Sequence, residues 1–175
     1  TPMSIMVGVG RAAKQGILIK NAEALETLEK IDTLIVDKTG TLTKGHPALT
    51  DVFSTAGYSE EDILRYAASL EKGSEHPLAM AIIKGAKNRN IKIPNNESFK
   101  AVTGKGVKGI VEGHTVTLGN SKVMADINVE LSELQNKAES FRKSGATAMY
   151  LSVDDKAAGV IAVSDPIKET TPDAL

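Results

Sequence analysis

Hydrophobic positions along the chain follow two spacings, one typical of strands and one typical of helices. Apolar or alternating runs predict strands at 33–36, 49–54, 107–112, 115–118, 148–153 and 157–163. Spacing of three and four predicts helices at 21–30, 60–70, 77–90, 121–126, 130–144 and from 170 onward. Asn21 and Asn120 are expected to cap the helices that they begin, and Ser59 and Asp62 to form a capping box before the helix at 60–70. The last four strands pair into hairpins that turn at Gly113-His114 and at Asp154-Asp155-Lys156. We therefore expect a fold that mixes helices and strands along its whole length.

Composition narrows the class of protein. The chain has 175 residues, which suffices for one domain or two small ones, and 41% hydrophobic residues support a packed core. A net charge of -1 without a Lys/Arg cluster gives no reason to expect a nucleic-acid partner. The absence of cysteine excludes disulfides and Cys-x-x-Cys metal sites in this chain. Because the sequence starts at Thr1 and stops inside a predicted helix, we expect a longer parent protein.

The polar stretch 37–43 carries the clearest chemical signal. It reads Asp-Lys-Thr-Gly-Thr-Leu-Thr and follows the apolar run 33–36, which predicts a strand buried on both faces of a sheet. A carboxylate at the carboxyl end of such a strand, before a glycine loop, lies where open α/β sheets bind ligands. Asp37 could take up a phosphoryl group as a nucleophile, and Lys38 could supply positive charge. The plainer interpretation is that Asp37 ends a strand and Gly40 makes a turn. We would prefer it for an isolated Asp-x-x-Gly, but not for all seven residues in this order after an apolar run.

These seven residues resemble the phosphorylation motif of the P-type ATPases, ion pumps built on a haloacid-dehalogenase-like domain. The resemblance implies an aspartyl-phosphate on Asp37, with Lys38 and Thr41 near the phosphate. It also implies Mg²⁺ bound by Asp37 and by the backbone carbonyl of Thr39. Soluble phosphatases of this superfamily, which are an alternative, usually carry a second Asp two positions after the first. Thr39 stands there instead, so the phosphoenzyme should hydrolyse slowly, since general acid–base help is worth about 10²–10⁴-fold.

A second motif lies between two predicted helices. Residues 71–78 read Glu-Lys-Gly-Ser-Glu-His-Pro-Leu, and taken alone they suggest only a structural histidine at a helix start. The stretch is similar to the nucleotide-domain signature of heavy-metal P-type ATPases. That resemblance implies that Glu71 and His76 bind the adenine end of ATP.

A glycine-rich stretch follows. Gly104, Gly106 and Gly109 spell G-x-G-x-x-G, but a hairpin pattern rather than a helix comes next, so a dinucleotide fingerprint is not supported. The alternative from the residues alone is a glycine-rich β-turn. The resemblance implies that the backbone of Gly104 and Gly106 lies against ATP, and that Gly119 and Asn120 also contact the nucleotide.

The order of these motifs implies a domain plan. It comprises a discontinuous α/β phosphorylation domain of the haloacid-dehalogenase type, incomplete here, with an inserted α+β nucleotide-binding domain whose antiparallel sheet is flanked by helices. We expect a membrane-proximal segment and linker helix at 1–30. The two segments of the phosphorylation domain are expected at 31–46 and 164–175, and the nucleotide-binding domain lies between them at 47–163. The connections near 44–47 and 163–166 should act as a hinge.

The opening Thr-Pro-Met-Ser-Ile-Met-Val-Gly resembles the copper/silver branch, with a zinc/cadmium pump as the alternative. We therefore expect ATP and Mg²⁺ as cofactors, and a place on the cytoplasmic face of a prokaryotic plasma membrane protein. Expected partners are the membrane and actuator domains of the same protein and a metal ion on its membrane helices. The family's Gly-Asp-Gly-x-Asn-Asp motif and a phosphate-contacting Lys are not in this sequence. The isolated chain should accordingly bind ATP weakly to moderately and form no stable phosphoenzyme.

Overall fold

The computed structural model describes residues 2–175 and contains two compact units, one up to Asp37 and one spanning Lys38–Leu175. The first unit has two helices, α1 (Pro2–Lys14) and α2 (Ala22–Leu28). Asn21 caps α2 as predicted, because its side-chain oxygen accepts the Glu23 N–H at 2.9 Å. Among the described residues, no helix combines the length and the apolar character needed to cross a membrane.

The predicted strand at 33–36 is wrong. Residues 31–37 form neither helix nor strand, and Leu34 and Ile35 are 66% and 94% exposed. A strand buried on both faces needs hydrogen-bonded neighbours on both sides. The strands in the part of the chain that the structure describes pair only with one another, so this apolar run has no sheet to join.

The second unit is built on an antiparallel sheet of six strands in the order β1-β6-β5-β4-β3-β2. The strands are β1 (Ala48–Ser54), β2 (Asn96–Val102), β3 (Gly106–Val111), β4 (His114–Gly119), β5 (Thr147–Val153) and β6 (Lys156–Ser164). The helices are α3 (Glu60–Glu71), α4 (Pro77–Asn88), α5 (Ser121–Asp126), α6 (Ser132–Lys143) and α7 (Thr171–Ala174). Both predicted hairpins are present; the first turns at 112–113, one residue earlier than predicted, and the second turns at 154–155.

Helices cover both faces of this sheet. On one face, Ile63 and Leu64 of α3 and Ile82 of α4 are fully buried in a cluster with alternate residues of the central strands. On the other face, Leu134 and Phe141 of α6 lie in a second cluster. The unit therefore has three layers with a core on each side of the sheet.

The strand register separates two ends of the sheet. At the connection end, Ala48 pairs with Ser164 and Gly106 pairs with Gly119, so the β2–β3 turn and both chain connections lie there. At the distal end lie the tips of the other two hairpins, 112–113 and 154–155. The antiparallel pairing thus brings the glycine-rich turn to the same end as the residues that lead into and out of the sheet.

Two local predictions differ in outcome. The capping box at the start of α3 is confirmed: Ser59 Oγ accepts the Asp62 N–H at 3.1 Å, and the Asp62 carboxylate accepts the Ser59 N–H at 3.0 Å. Strand β2 was not predicted. It is an edge strand whose residues from Glu97 to Ala101 are all exposed, so it lacks the apolar alternation that marks a half-buried strand.

Candidate nucleotide-binding and phosphorylation site

The motif turn, residues 38–43, has the geometry of a type II β-turn. Thr39 has φ −77° and ψ 119°, and Gly40 has φ 78° and ψ −15°. Only glycine adopts this second conformation without strain, which explains the glycine in the middle of the motif. Asp37 comes directly before the turn and is exposed, as are Thr39 and Thr41. The predicted nucleophile and its neighbours are therefore open to solvent.

The motif turn is closed by Thr43, whose side chain is buried. Its Oγ1 accepts the Gly40 N–H at 3.1 Å, and its N–H donates to the Lys38 carbonyl at 3.1 Å. The same hydroxyl contacts a carboxylate oxygen of Asp165, which lies 122 positions further along the chain. One buried side chain thus ties the turn to the segment that leaves the sheet.

Other contacts between the motif turn and the segment 164–171 are equally specific. The Lys168 ammonium donates to the Gly40 carbonyl at 2.8 Å, and the Thr171 hydroxyl donates to the Leu42 carbonyl at 2.8 Å. The Lys44 N–H donates to the Pro166 carbonyl at 2.8 Å, so the two chain connections are also paired by their backbones. Sequence analysis assigned 164–175 to the phosphorylation domain but predicted none of these contacts, since no local pattern links residues so far apart in the chain.

The structure brings four predicted nucleotide-binding residues together. Gly106 and Gly119 face each other across β3 and β4, and a Cβ on Gly106 would lie 2.1 Å from the Leu118 carbonyl oxygen. The Asn120 amide donates to the Gly104 carbonyl at 3.0 Å. Since the Cβ of any other residue would collide with the neighbouring strand, Gly106 is required by the close approach of the two backbones.

Gly104 lies at the tip of this surface. It has φ 68°, and a Cβ built there would meet no atom within 4 Å, so its backbone is open on that side. Asn120 is engaged by the fold, because its side-chain oxygen accepts the N–H groups of Lys122 and Val123 at 3.0 and 3.3 Å. The backbone of Gly104 is therefore accessible to a ligand, whereas the side-chain oxygen of Asn120 is already hydrogen-bonded within the protein.

Glu71 and His76 lie on the loop between α3 and α4. Glu71 is 6% exposed, and its Oε2 has no hydrogen-bond partner among the described residues. Burial raises the pKa of the Glu71 carboxyl, while a hydrogen bond from Ser74 and the charge of His76 act in the opposite direction. His76 is exposed and its Nδ1 accepts the Leu78 N–H at 3.2 Å, so in the neutral ring Nε2 carries the proton. The loop thus offers one acceptor and one donor.

A residue that sequence analysis missed joins this loop to the glycine surface. The ring of Phe99 on β2 lies so close to Gly73 that a Cβ there would be 2.8 Å from a ring carbon. Phe99 as a whole residue is 37% exposed. The loop therefore lies over β2, the strand that leads into the turn with Gly104. The available signal was a single aromatic residue in a stretch of mostly exposed residues.

The side chains of the described residues show how far this chain could hold Mg²⁺. The described residues contain no group of three or more His, Cys, Asp or Glu side chains arranged around a common point. Mg²⁺ in phosphoryl-transfer sites is usually held by one or two carboxylates together with waters and substrate phosphates. Asp37 and Thr39 carry a carboxylate and a backbone carbonyl, which are oxygen ligands of the kind that Mg²⁺ takes.

Comparison with known proteins identifies the class. A family model for haloacid dehalogenase-like hydrolases matches residues 31–175, so the chain belongs to that family. It is 51% identical over 175 residues to a silver exporting P-type ATPase of Salmonella typhimurium and 50% identical to a copper-exporting P-type ATPase of Legionella pneumophila. All of this chain is covered in both alignments, but only 21% and 24% of those relatives.

Solved structures agree with this assignment. A zinc-transporting PIB-type ATPase superposes with a TM-score of 0.82 at 36% identity, over 99% of this chain and 28% of that one. The N-domain of a copper-transporting P-type ATPase superposes with a TM-score of 0.58 at 30% identity, over 68% of this chain and 99% of the other. Within the hydrolase family, the chain is a segment of a heavy-metal P-type ATPase, and it spans between a fifth and a quarter of the length of the relatives named above.

Proposed function

We propose that this chain is the ATP-binding and phosphorylation segment of a P-type ATPase that exports monovalent copper or silver. The support for the metal is the identity of 50–51% to a copper-exporting and a silver exporting relative, against 36% to the zinc-transporting structure. The segment would lie on the cytoplasmic face of a prokaryotic plasma membrane, with the membrane and actuator domains of the same protein as partners. The transported metal ion would bind to membrane helices outside this chain.

The unpaired Glu71 oxygen is the observation that carries the nucleotide-binding part of the proposal. A buried acceptor without a partner is costly, and the exocyclic amino group of adenine is a donor that would satisfy it. His76 would donate from Nε2 at the same end of the nucleotide. The backbone of Gly104, Gly106 and Gly119 would pass beside the nucleotide, and Asn120 would hold the Gly104 turn in place.

The proposed chemistry is phosphoryl transfer to Asp37. A carboxylate oxygen of Asp37 attacks the γ-phosphorus of ATP, a new P–O bond forms, and the bond to the bridging oxygen breaks so that ADP leaves. Lys38 and Thr41 would lie beside the transferring group. Mg²⁺, when held by Asp37 and the Thr39 carbonyl, would neutralise the phosphate charge. Thr39 has no carboxyl group to activate water, so the phosphoenzyme would persist long enough to drive transport.

We further propose the domain limits 1–30, 31–46, 47–163 and 164–175 for the membrane-proximal, first phosphorylation, nucleotide-binding and second phosphorylation parts. The six-stranded sheet, apart from its last residue Ser164, would then lie within the nucleotide-binding domain. Closure about the connections near 44–47 and 163–166 would carry the γ-phosphate to Asp37.

A titration with a non-hydrolysable ATP analogue tests the nucleotide site. His76→Ala should weaken binding about tenfold, the equivalent of one lost charge-assisted or well-aligned hydrogen bond. The matched control is His114→Ala, which removes another exposed histidine that lies at the distal end. Equal affinity in both variants and in the wild type would contradict the assignment of His76.

The transport part of the proposal needs the full-length protein. Cells that depend on it for copper and silver tolerance should become sensitive to both ions when Asp37 is changed to Asn, because the amide cannot form the acyl phosphate. Unchanged tolerance to both ions, with loss of zinc tolerance alone, would place the protein with the zinc pumps instead.

A further inference from the structure

We propose that Asp165 is a positioning residue for phosphoryl transfer, which acts through the buried Thr43 hydroxyl to hold the Gly40 peptide in the turn after Asp37. This inference rests on the proposed function. Asp165 does not touch the reacting atoms in this assignment. It sets the shape of the loop that carries them, from a position 122 residues away in the sequence.

The hydrogen bonds define a direction for the Thr43 proton. The hydroxyl has a single proton and two neighbouring acceptors, the Asp165 carboxylate and the Lys38 carbonyl at 3.1 Å. The Lys38 carbonyl already accepts the Thr43 N–H, and a carboxylate is the stronger acceptor. The proton therefore points at Asp165, which leaves a lone pair of Thr43 Oγ1 directed at the Gly40 N–H, 3.1 Å away.

Burial shields from water the hydrogen-bonded chain from Asp165 through Thr43 to Gly40, which we call the relay. Thr43 is 1% exposed, so water cannot replace a lost partner of its hydroxyl. Gly40 has a positive φ, and its peptide orientation is the feature that distinguishes a type II turn from a type I turn. On its other side, the Gly40 carbonyl accepts a hydrogen bond from the Lys168 ammonium at 2.8 Å. Both polar groups of Gly40 are thus held by the segment that leaves the sheet, one directly and one through Thr43.

The second carboxylate oxygen of Asp165 extends the relay to the first chain connection. It accepts the His46 N–H at 3.1 Å, two residues before β1 begins. One side chain therefore contacts both the motif turn and the strand entry. A change of angle at the connections would reach the Gly40 peptide through this carboxylate, which couples the position of the sheet to the geometry of the phosphorylation loop.

Two pairs of variants separate hydrogen bonding from mere packing. Thr43→Val keeps the shape but removes the hydroxyl, whereas Thr43→Ser keeps the hydroxyl. Asp165→Ala removes both contacts. Asp165→Asn can keep both, because its amide nitrogen can donate to Thr43 while its oxygen accepts the His46 N–H, with the Thr43 proton turned to the Lys38 carbonyl. A charge at position 165 is not required by the relay, so the Asn variant should behave like the wild type.

The test is the single-turnover rate of Asp37 phosphorylation from labelled ATP at saturating concentration in the full-length transporter, together with ATP affinity. Thr43→Val and Asp165→Ala should lower the rate about tenfold with unchanged affinity, while Thr43→Ser and Asp165→Asn should stay within about twofold. The same two disruptive variants should show faster hydrogen exchange in a peptide covering residues 38–43. Glu169→Gln, which alters an exposed ion pair with Lys44 on the same segment, is the control and should leave the rate unchanged.

The outcomes separate this inference from the proposed function. Normal labelling of the wild type, with Thr43→Val as fast as Thr43→Ser, would overturn the relay alone. A loss of rate matched by an equal loss of ATP affinity would also overturn it, since a misfolded unit predicts that result. No labelling of Asp37 in an intact wild type would overturn the proposed function and, with it, the role of Asp165 in catalysis.

Discussion

Two regions at opposite ends of the sheet, which we call the distal cluster and the candidate nucleotide surface, differ in how many of their polar groups are paired within the protein. The distal cluster comprises Arg65, Tyr66, Glu112, His114 and Asp154. Arg65 donates to Asp62 at 2.8 Å and also to Glu112, and its guanidinium lies 4.9 Å from the centre of the Tyr66 ring. His114 Nδ1 lies 2.7 Å from an Asp154 carboxylate oxygen. Arg65, Glu112, His114 and Asp154 therefore each have a hydrogen-bonding partner within the protein.

The candidate nucleotide surface comprises Glu71, His76, Gly104, Gly106, Gly119 and Asn120. Here a buried carboxylate oxygen of Glu71 has no partner among the described residues, His76 is exposed, and the Gly104 backbone is open. Internal pairing stabilises a fold, whereas unmet hydrogen-bonding capacity beside an open glycine backbone favours a ligand. The contrast teaches that polar groups are paired within the protein at one end of the sheet and are left available at the other, where we propose that a nucleotide binds.

Replacing Gly106 by Ala should give the largest effect. The new Cβ would lie 2.1 Å from the Leu118 carbonyl oxygen, so β3 and β4 would have to separate. We expect a loss of about 3 kcal/mol in the free energy of unfolding, the upper part of the range for overpacking. Urea unfolding followed by circular dichroism measures it. A variant as stable as the wild type would mean that the two backbones are not in close contact.

Gly104 and Gly113 form a matched pair on opposite ends of the sheet. They have φ values of 68° and 78°, and neither has an atom within 4 Å of a built Cβ. Alanine at either position should cost about 1 kcal/mol of stability from backbone strain. Only Gly104→Ala should also weaken binding of the ATP analogue, about tenfold, because its Cβ would stand on the proposed ligand side. Calorimetric titration of both variants with the ATP analogue measures this difference. Equal affinities of the Gly104→Ala and Gly113→Ala variants would show that Gly104 is not part of the site.

Arg65→Met tests the distal cluster. Methionine keeps the apolar stem against Tyr66 but loses both ion pairs, so we expect a loss of about 1 kcal/mol in stability and unchanged nucleotide affinity. The unfolding midpoint in urea and the titration above are the two measurements. A change in nucleotide affinity without a change in stability would contradict the hypothesis that the distal cluster stabilises the fold and takes no part in nucleotide binding.

Glu71→Gln should give the smallest stability change, and its sign depends on pH. Burial raises the pKa of Glu71, so the folded state holds this proton more tightly than the unfolded state does. The wild type is therefore favoured in acid, below the ordinary pKa of a glutamate, and loses this contribution as the pH rises through the raised value. At neutral pH the Gln variant should unfold at a higher temperature than the wild type, and the difference should vanish in acid.

Asp154→Asn is the control of opposite sign. Hydrogen bonds from His114 and from the Thr115 N–H lower the pKa of Asp154. Its contribution to stability is present above the ordinary pKa of an aspartate and is lost as the pH falls through the lowered value. The Asn variant should thus be less stable at neutral pH and approach the wild type in acid. Scans of unfolding temperature against pH with the same slope for both variants would contradict this assignment.

Local patterns sufficed for most of the second unit. The Ser59 capping box, the Asn120 helix cap and the two tight hairpins depend on residues within a few positions of one another, so composition and spacing predicted them. The run at 33–36 failed because a buried strand depends on neighbours that the described residues do not supply. Strand β2 was missed for the opposite reason, since its pairing with β3 decides its conformation and its side chains carry no pattern.

The amino-acid sequence by itself determined the motif at Asp37 and the resemblance to the family, because both depend on the identity and order of adjacent residues. Only the tertiary structure decided that Gly106 meets Gly119, that Phe99 packs under Gly73, and that Asp165 reaches Thr43. These contacts follow from strand order and register, which join residues up to 122 positions apart, and no local spacing encodes such a distance.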